Sequence, residues 1–338
     1  MHNDKHFFEE YTGKQVDLFL ALPQSGSSRI NYIATSEEKK YVVTYNENIR
    51  ENEAFFYFSE LFRSLELNTP KVFIINENRD LYVQEFLGNQ TLSEVISEVG
   101  LSHRVQMLVK KSLKHLFELQ SKTLGKVDFS RSFEYESYDD LPITHDLYYF
   151  KNFMIDVLEL EYQKSTLLKE FKKISEIIEM LEPKTLMIRD FQSRNILVDE
   201  KDEVFFIDYQ SAMEGPAGYD VISFLYQAKA NFPKDFKEEM LNYYLSFWNN
   251  ESERKSLELS FNWMKLMRFL QVLGAYGFRG LIQRKAHFLA SISQGIENVF
   301  ELAESWKEIR TEFPELYFLI QKLKSSETKI KIEELIIK

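Results

Sequence analysis

The apolar residues of this chain fall into two kinds of run: short ones bounded by turn residues, and long ones with helical spacing. Residues 2–12 read as a short helix with Phe7, Phe8 and Tyr11 on one side. Residues 16–22 read as a strand, 23–28 as a small-residue turn, and 29–34 with 40–45 as a hairpin around Ser36-Glu37-Glu38. A helix is predicted over 48–65, with a wide apolar face made by Phe55, Phe56, Phe58, Leu61, Phe62 and Leu65. Asn68-Thr69-Pro70 ends it. A second hairpin, 72–75 and 81–83, turns through Asn78-Arg79-Asp80. Thr91-Leu92-Ser93-Glu94 is a capping box, and long helices follow over 102–121, 144–162 and 168–181, with an irregular aromatic connector at 129–138. Then the rhythm shortens again: a strand at 185–188, a polar loop at 189–195, and a hairpin formed by 196–198 and 204–207. Helices are predicted over 221–228, 236–247, 253–278, 281–302 and 312–323, and the charged segment 324–338 reads as a terminal strand or helix.

Composition narrows the functional classes. The 338 residues are enough for about two domains or lobes with ample core. A net charge of −11 argues against nucleic acid or an anionic membrane as a main partner. Cysteine is absent, which excludes disulfides and thiolate chemistry and fits a reducing compartment, so a cytoplasmic location is expected. The first residues lack an apolar leader-like run, and no run has the roughly 18 apolar residues of a spanning helix. The six His are scattered without ligand spacing. No G-x-S-x-G, G-x-G-x-x-G or G-x-x-x-x-G-K-[ST] string is present, so hydrolase, dinucleotide and P-loop readings lack their primary signals. Nothing in the sequence speaks to oligomeric state.

The chemistry concentrates in residues 184–220. Asp190, Asn195 and Asp208 each stand near the edge of an apolar run, where a side chain can be held firmly and still face a cleft. The pattern D-x-x-x-x-N followed one hairpin later by I-D suits phosphoryl transfer. Asp190 would orient an acceptor hydroxyl and take its proton, while Asn195 and Asp208 supply hard oxygen ligands to hold Mg2+ against the phosphates of ATP. Asp and Asn are also ordinary loop residues, and it is the spacing to Asp208 that favours chemistry over a plain turn. Farther on, Arg268, Gln271, Ala275 and Arg279 fall at i, i+3, i+7 and i+11 along an otherwise apolar helix. Such a stripe suits a polar pocket wall for a carboxylate, hydroxyls or phosphate, or else salt-bridged arginines near the surface.

The strings Arg189-Asp190-Phe191-Gln192-Ser193-Arg194-Asn195, Ile207-Asp208-Tyr209-Gln210 and Gly215-Pro216-Ala217-Gly218-Tyr219-Asp220 resemble the catalytic segment of the aminoglycoside phosphotransferase and choline kinase superfamily. They look most like its branch of cytoplasmic anomeric kinases of N-acetylmuramate and N-acetylglucosamine, with related Bacteroidetes phosphotransferases. One departure is Ile188, where the family usually has His two residues before the base. The resemblance implies an α+β, two-lobed protein-kinase-like fold: a small N-terminal antiparallel sheet lobe for nucleotide (residues 1–88) and a larger, mostly helical C-terminal lobe for catalysis and substrate (residues 89–338). It implies Asp190 as base, Asn195 and Asp208 as Mg2+ ligands, and Asp220 as a buried brace of the catalytic loop.

Within that fold Ser25, Gly26, Ser27 and Ser28 are expected to cover the ATP phosphates with backbone N–H groups. Glu85, Phe86 and Leu87 would form the adenine-binding hinge, with Gly88 supplying flexibility. The strand at 40–45 has no interior Lys of the kind that holds phosphates in protein kinases. Lys40, Lys39 and Arg29 are the available replacements, Lys40 being placed in the nucleotide site, and Glu53 is the helix acid expected nearby. Arg194, Arg268, Gln271 and Arg279 are expected to bind substrate. The expected activity is transfer of the γ-phosphate of ATP to a hydroxyl, above all the anomeric hydroxyl of an N-acetylated amino sugar. An aminoglycoside- or choline-type kinase, or a nucleotide-binding pseudokinase, are the alternatives.

Overall fold

The computed structural model describes residues 2–23 and 29–337. The turn containing Ser25, Gly26, Ser27 and Ser28 lies outside the described residues. The chain forms two compact units that interleave in sequence: Met1–Glu136 with Thr185–Met213, and Ser137–Lys184 with Glu214–Lys338. This is a different division from the functional one drawn above at residue 88.

In the first unit, α1 (His2–Thr12) precedes a five-stranded antiparallel sheet built from β1 (Leu18–Ala21), β2 (Ile30–Ser36), β3 (Lys39–Tyr45), β4 (Val72–Ile75) and β5 (Leu81–Glu85), in the order β1-β2-β3-β5-β4. Because strand side chains alternate, the sheet has two distinct faces. One is apolar: Tyr32, Ala34, Val43, Leu81 and Val83 are buried around Phe8 of α1. The other carries Leu20 beside Ile33, then Val42 and Gln84, and a polar row in which Asn31, Thr44 and Tyr82 are register partners. Thr44 donates to Asn31 at 2.8 Å and accepts from Gln84 at 3.0 Å, which satisfies a fully buried hydroxyl.

Helix α2 (Ile49–Ser64) is capped by the Asn48 side chain and buries Phe55, Phe56, Phe58 and Phe62. After it come β6 (Gln90–Thr91), α3 (Leu92–Val99) with the expected Thr91–Glu94 capping box, and α4 (His103–Thr123). The chain returns to this unit with β7 (Lys184–Met187), β8 (Ile196–Val198) and β9 (Val204–Phe206), and β8 pairs with both β6 and β9. Gly88 serves a steric purpose here and is no free joint. Its φ is +131°, and a Cβ on it would meet the Val198 carbonyl oxygen at 2.9 Å.

The second unit is helical: α5 (Asp140–Phe150), α6 (Lys164–Glu179), α7 (Gly218–Leu225), α8 (Lys234–Leu245), α9 (Glu251–Tyr276), α10 (Ala286–Leu289), α11 (Ile292–Ser305), α12 (Lys307–Glu312), α13 (Pro314–Lys324) and α14 (Ser326–Ile337). The central helix α9 packs against α5, α7 and α11. Two boundaries depart from the helices read in the sequence. Helix α5 starts earlier than expected and runs into a π-helical turn, Lys151–Asp156, and α9 runs into another, Gly277–Ile282. The helix expected over 281–302 is broken, with α10 and α11 as separate pieces. The terminal segment is helical, α14. No helix among the described residues is long and apolar enough to cross a membrane.

The two π-helical turns pack together because Gly277 lets the backbones touch. A Cβ there would lie 1.9 Å from the Phe153 carbonyl oxygen. Backbone cannot yield as a flexible side chain does, so Gly277→Ala is expected to lower stability by about 3 kcal/mol or more. A denaturant melt that leaves the midpoint unchanged would contradict this packing.

Candidate active site

Asp190, Asn195 and Asp208 belong to one unit and meet. Asp190 follows β7; Asn195 ends a single 3-10 turn, Ser193–Asn195, that leads into β8; Asp208 follows β9. The Asn195 side-chain nitrogen donates to the Asp190 backbone oxygen at 2.9 Å and to Asp208 Oδ2 at 3.2 Å. The Ile207 amide donates to the Asn195 carbonyl at 3.0 Å, so the loop that carries Asp190 and the end of the hairpin are tied together by backbone as well. These bonds use the Asn195 amide nitrogen and leave its Oδ1 as the atom for a cation.

Two glutamines complete the arrangement, and their roles were not read from the sequence. Gln192 donates to Asp190 Oδ1 at 3.2 Å, and Gln210 donates to Asp208 Oδ1 at 2.9 Å. Each glutamine stands two residues after its acid. The signal was present as a repeated D-x-Q, at 190–192 and 208–210. Both loops are backbone-strained: Arg189 has φ 71° and Asp208 has φ 65°. Positive φ outside glycine costs on the order of 1–3 kcal/mol and persists where surrounding contacts enforce it. Next to Asp208, Tyr209 supplies those contacts. It is fully buried and stacks on Phe55 at 5.1 Å between ring centroids. Ser59 already donates its hydroxyl proton to the Phe55 carbonyl, so the Tyr209 hydroxyl donates to Ser59 Oγ at 2.8 Å. Burial drives the Tyr209 pKa upward, which keeps that donor protonated.

A guanidinium completes the charge balance. Arg29 Nη1 lies 3.6 Å from Asp208 Oδ1, and Arg29 Nη2 pairs with Glu51 Oε1. Arg29 and Glu51 side chains are 13% and 14% exposed, against 36% for Asp208. Burial alone would lower the Arg29 pKa, but Tyr82, Asp208 and Glu51 together hold it above its ordinary value. Glu51 is fixed in turn by Asn46 Nδ2 at 2.9 Å.

The expectation for Glu53 is corrected. Glu53 pairs with Arg79, its Oε2 accepting from Nη2 at 2.8 Å, and both side chains are well exposed. At 3.6 residues per turn, a step of two residues turns roughly halfway around a helix, so Glu51 and Glu53 point apart. The signal lay in the helical period: Glu51 is four residues before Phe55 and seven before Phe58, on the buried stripe.

The remaining predicted residues separate into groups. Lys40, Glu85 and Phe86 line a cleft of about 720 Å³ with Lys39, Gly88, Arg104 and Val198, and Lys40 Nζ stands 5.4 Å from the Phe86 ring centre. Leu87 and the three acid-loop residues Asp190, Asn195 and Asp208 are not in that lining. Arg194 is exposed on the short turn. In the helical unit, Arg268 is buried and donates to Gln271 Oε1 at 3.0 Å, with the Tyr219 hydroxyl at 3.5 Å. Arg279 lies in the π-helical turn over the Phe288 ring at 5.5 Å, so the stripe read at α-helical spacing does not continue to it. Asp220 is fully buried in the first turn of α7, where a helix N-terminus favours negative charge.

Hard oxygen donors at Asp208 and Asn195 fit Mg2+. Among the described residues no group of three or more His, Cys, Asp or Glu could hold a metal unaided. Mg2+ typically takes one or two carboxylates and completes its shell with water and substrate phosphates, so this small donor set suits a metal that arrives with a nucleotide.

A model of the phosphotransferase enzyme family matches residues 20–258. The chain belongs to that family. An N-acetylmuramate/N-acetylglucosamine kinase of Neisseria meningitidis serogroup B is 23% identical over 227 residues, 62% of this chain and 63% of that protein, so the chain spans less than two thirds of its relative's length. Among solved structures, a choline kinase from Streptococcus pneumoniae superposes with a TM-score of 0.62 at 14% identity, over 90% of this chain and 100% of that one. An aminoglycoside phosphotransferase solved with ADP and hygromycin B gives 0.56 at 16% identity, over 87% and 98%. At such identities the likeness establishes the fold, which is the kinase-like one with an antiparallel sheet first and helices after.

Proposed function

We propose that this protein is an ATP- and Mg2+-dependent kinase that transfers the γ-phosphate to a hydroxyl, the anomeric hydroxyl of an N-acetylated amino sugar being the acceptor. The observation that carries the reading is the convergence of Asp190, Asn195 and Asp208, joined by the two Asn195 hydrogen bonds. Asp190 accepts the acceptor's proton as the oxygen attacks. Its carboxylate is steered by Gln192 rather than by a cation, which keeps a free oxygen for the proton. Asp208 and Asn195 Oδ1 hold the metal, whose charge offsets that of the transferring phosphoryl group. The open face of the sheet supports a nucleotide. Leu18, Leu20 and Leu22 are 49%, 57% and 39% exposed on the face that also bears Ile33 and Val42. An exposed apolar strip next to a cationic group is suited to a flat purine with phosphates.

The named sugar kinase relative favours an amino-sugar acceptor. The cytoplasm, where ATP is made, is the proposed location. The test is a panel of acceptors with γ-labelled ATP: N-acetylmuramate, N-acetylglucosamine, choline and a kanamycin-type aminoglycoside. Label in the N-acetylated sugars alone supports the proposal. Label in choline or the aminoglycoside alone moves the acceptor to another class, and ATP binding with no labelled acceptor points to a nucleotide-binding module without transfer.

A further inference from the structure

Protein kinases hold nucleotide phosphates with a strand lysine, and the inward row of β3 offers Thr44 instead, engaged with Asn31 and Gln84. Two of the three cations near this strand are poorly placed. Lys39 is exposed at the start of β3, and Lys40 stands over Phe86 in the separate cleft. Arg29 is the one that reaches the acid loops. It stands two residues before Asn31, on the same side of β2 by the strand period. Its Nε is buried without a hydrogen-bond partner, while its two Nη groups divide between Glu51 and Asp208.

Resting on the kinase reading, we propose that Arg29, carried by Glu51, is the phosphate-binding cation of this site, and that its pair with Asp208 makes metal entry conditional on the nucleotide. Charge sets this order. Without ligand, Arg29 partly neutralises two nearby acids. A divalent ion placed on Asp208 alone would turn that side chain's surroundings positive, about 4 Å from a guanidinium, a repulsive arrangement in a half-buried setting. A phosphate chain removes the conflict, because it takes the guanidinium as a two-pronged partner and brings negative charge to the metal. Glu51 retains Arg29 throughout, since Asn46 and the α2 cap fix its position. Arg29 therefore opposes the metal alone and favours the metal with nucleotide.

These opposite effects separate the proposal from a merely structural role. The test compares wild type, Arg29→Ala, Arg29→Lys and Glu51→Gln, with Arg79→Ala as a surface-pair control. Affinities for Mn2+ alone are read by electron paramagnetic resonance, and those for Mg2+–ATP and adenosine by calorimetry. Arg29→Ala is expected to weaken Mg2+–ATP about tenfold or more, to leave adenosine within about twofold, and to bind Mn2+ alone several times more tightly. Arg29→Lys should keep part of the ATP affinity, and Glu51→Gln should lose part of it. Equal losses for ATP and adenosine, unchanged ATP affinity, or weaker Mn2+ binding in Arg29→Ala would each overturn the proposal. If Arg29→Ala does not fold, Arg29→Lys and Glu51→Gln decide, and ATP affinities equal to wild type in both refute it. Wild-type protein that binds no Mg2+–ATP removes the kinase reading itself, and this inference with it.

Discussion

Asp190→Asn is expected to lower kcat by about 10²–10⁴-fold while leaving ATP affinity within about twofold. The substitution is chosen because it preserves everything but the base. Asn keeps an Oδ1 to accept the Gln192 amide, and the bond from Asn195 goes to the backbone oxygen, which does not change. The strained φ of 71° belongs to Arg189, so the new side chain meets no new backbone demand. A loss confined to kcat would mark Asp190 as acting in the transition state. Steady-state kinetics with a matched ATP titration provides the measurement, and turnover near wild type would mean that another group takes the proton.

Asp208→Asn is expected to raise the Mg2+ concentration needed for ATP-induced stabilisation by about tenfold or more, read relative to the variant's own unliganded melting temperature, which the lost contacts to Asn195 and Arg29 lower. Asn tolerates the left-handed backbone that Asp208 adopts at φ 65°, and it still offers Gln210 an acceptor. What it loses is the negative charge that we propose binds the metal and that faces Arg29, together with the Oδ2 that accepts from Asn195. Asp208→Ala would be a poorer test, because alanine at positive φ adds backbone strain. Thermal shift with ATP across a Mg2+ series reads the effect. An unchanged Mg2+ requirement would place the metal elsewhere.

Much of the architecture was legible because it is written in periodicity. Alternating short runs gave the N-terminal sheet, and helical spacing gave α2, α4, α6 and α9 with boundary errors of a few residues. That the acid loops meet was legible because Asp190, Asn195 and Asp208 stand at the edges of short apolar runs one hairpin apart. What periodicity does not carry is pairing. It could name Lys39, Lys40 and Arg29 as candidates but could not say which one bends toward Asp208. It could have ranked Glu51 above Glu53 from the stripe of Phe55, Phe58 and Phe62, but an acid on a buried stripe looks like an error until its arginine is found. The π-helical turns were invisible for a different reason: an i→i+5 ladder leaves no 3.6-residue signature. Their trace was the glycines at 274, 277 and 280, where neighbouring chain comes close.

We propose that three side chains act on one phosphoryl group, and phosphorus NMR of the reaction reports on that group directly. With Mg2+–ATP and N-acetylglucosamine, wild-type protein should consume the γ-phosphate signal and produce a sugar phosphate whose resonance is split by the anomeric proton, while Asp190→Asn should produce it at least about a hundredfold more slowly. A γ-phosphate that passes only to water, or an unchanged spectrum from protein shown to bind ATP, would contradict it.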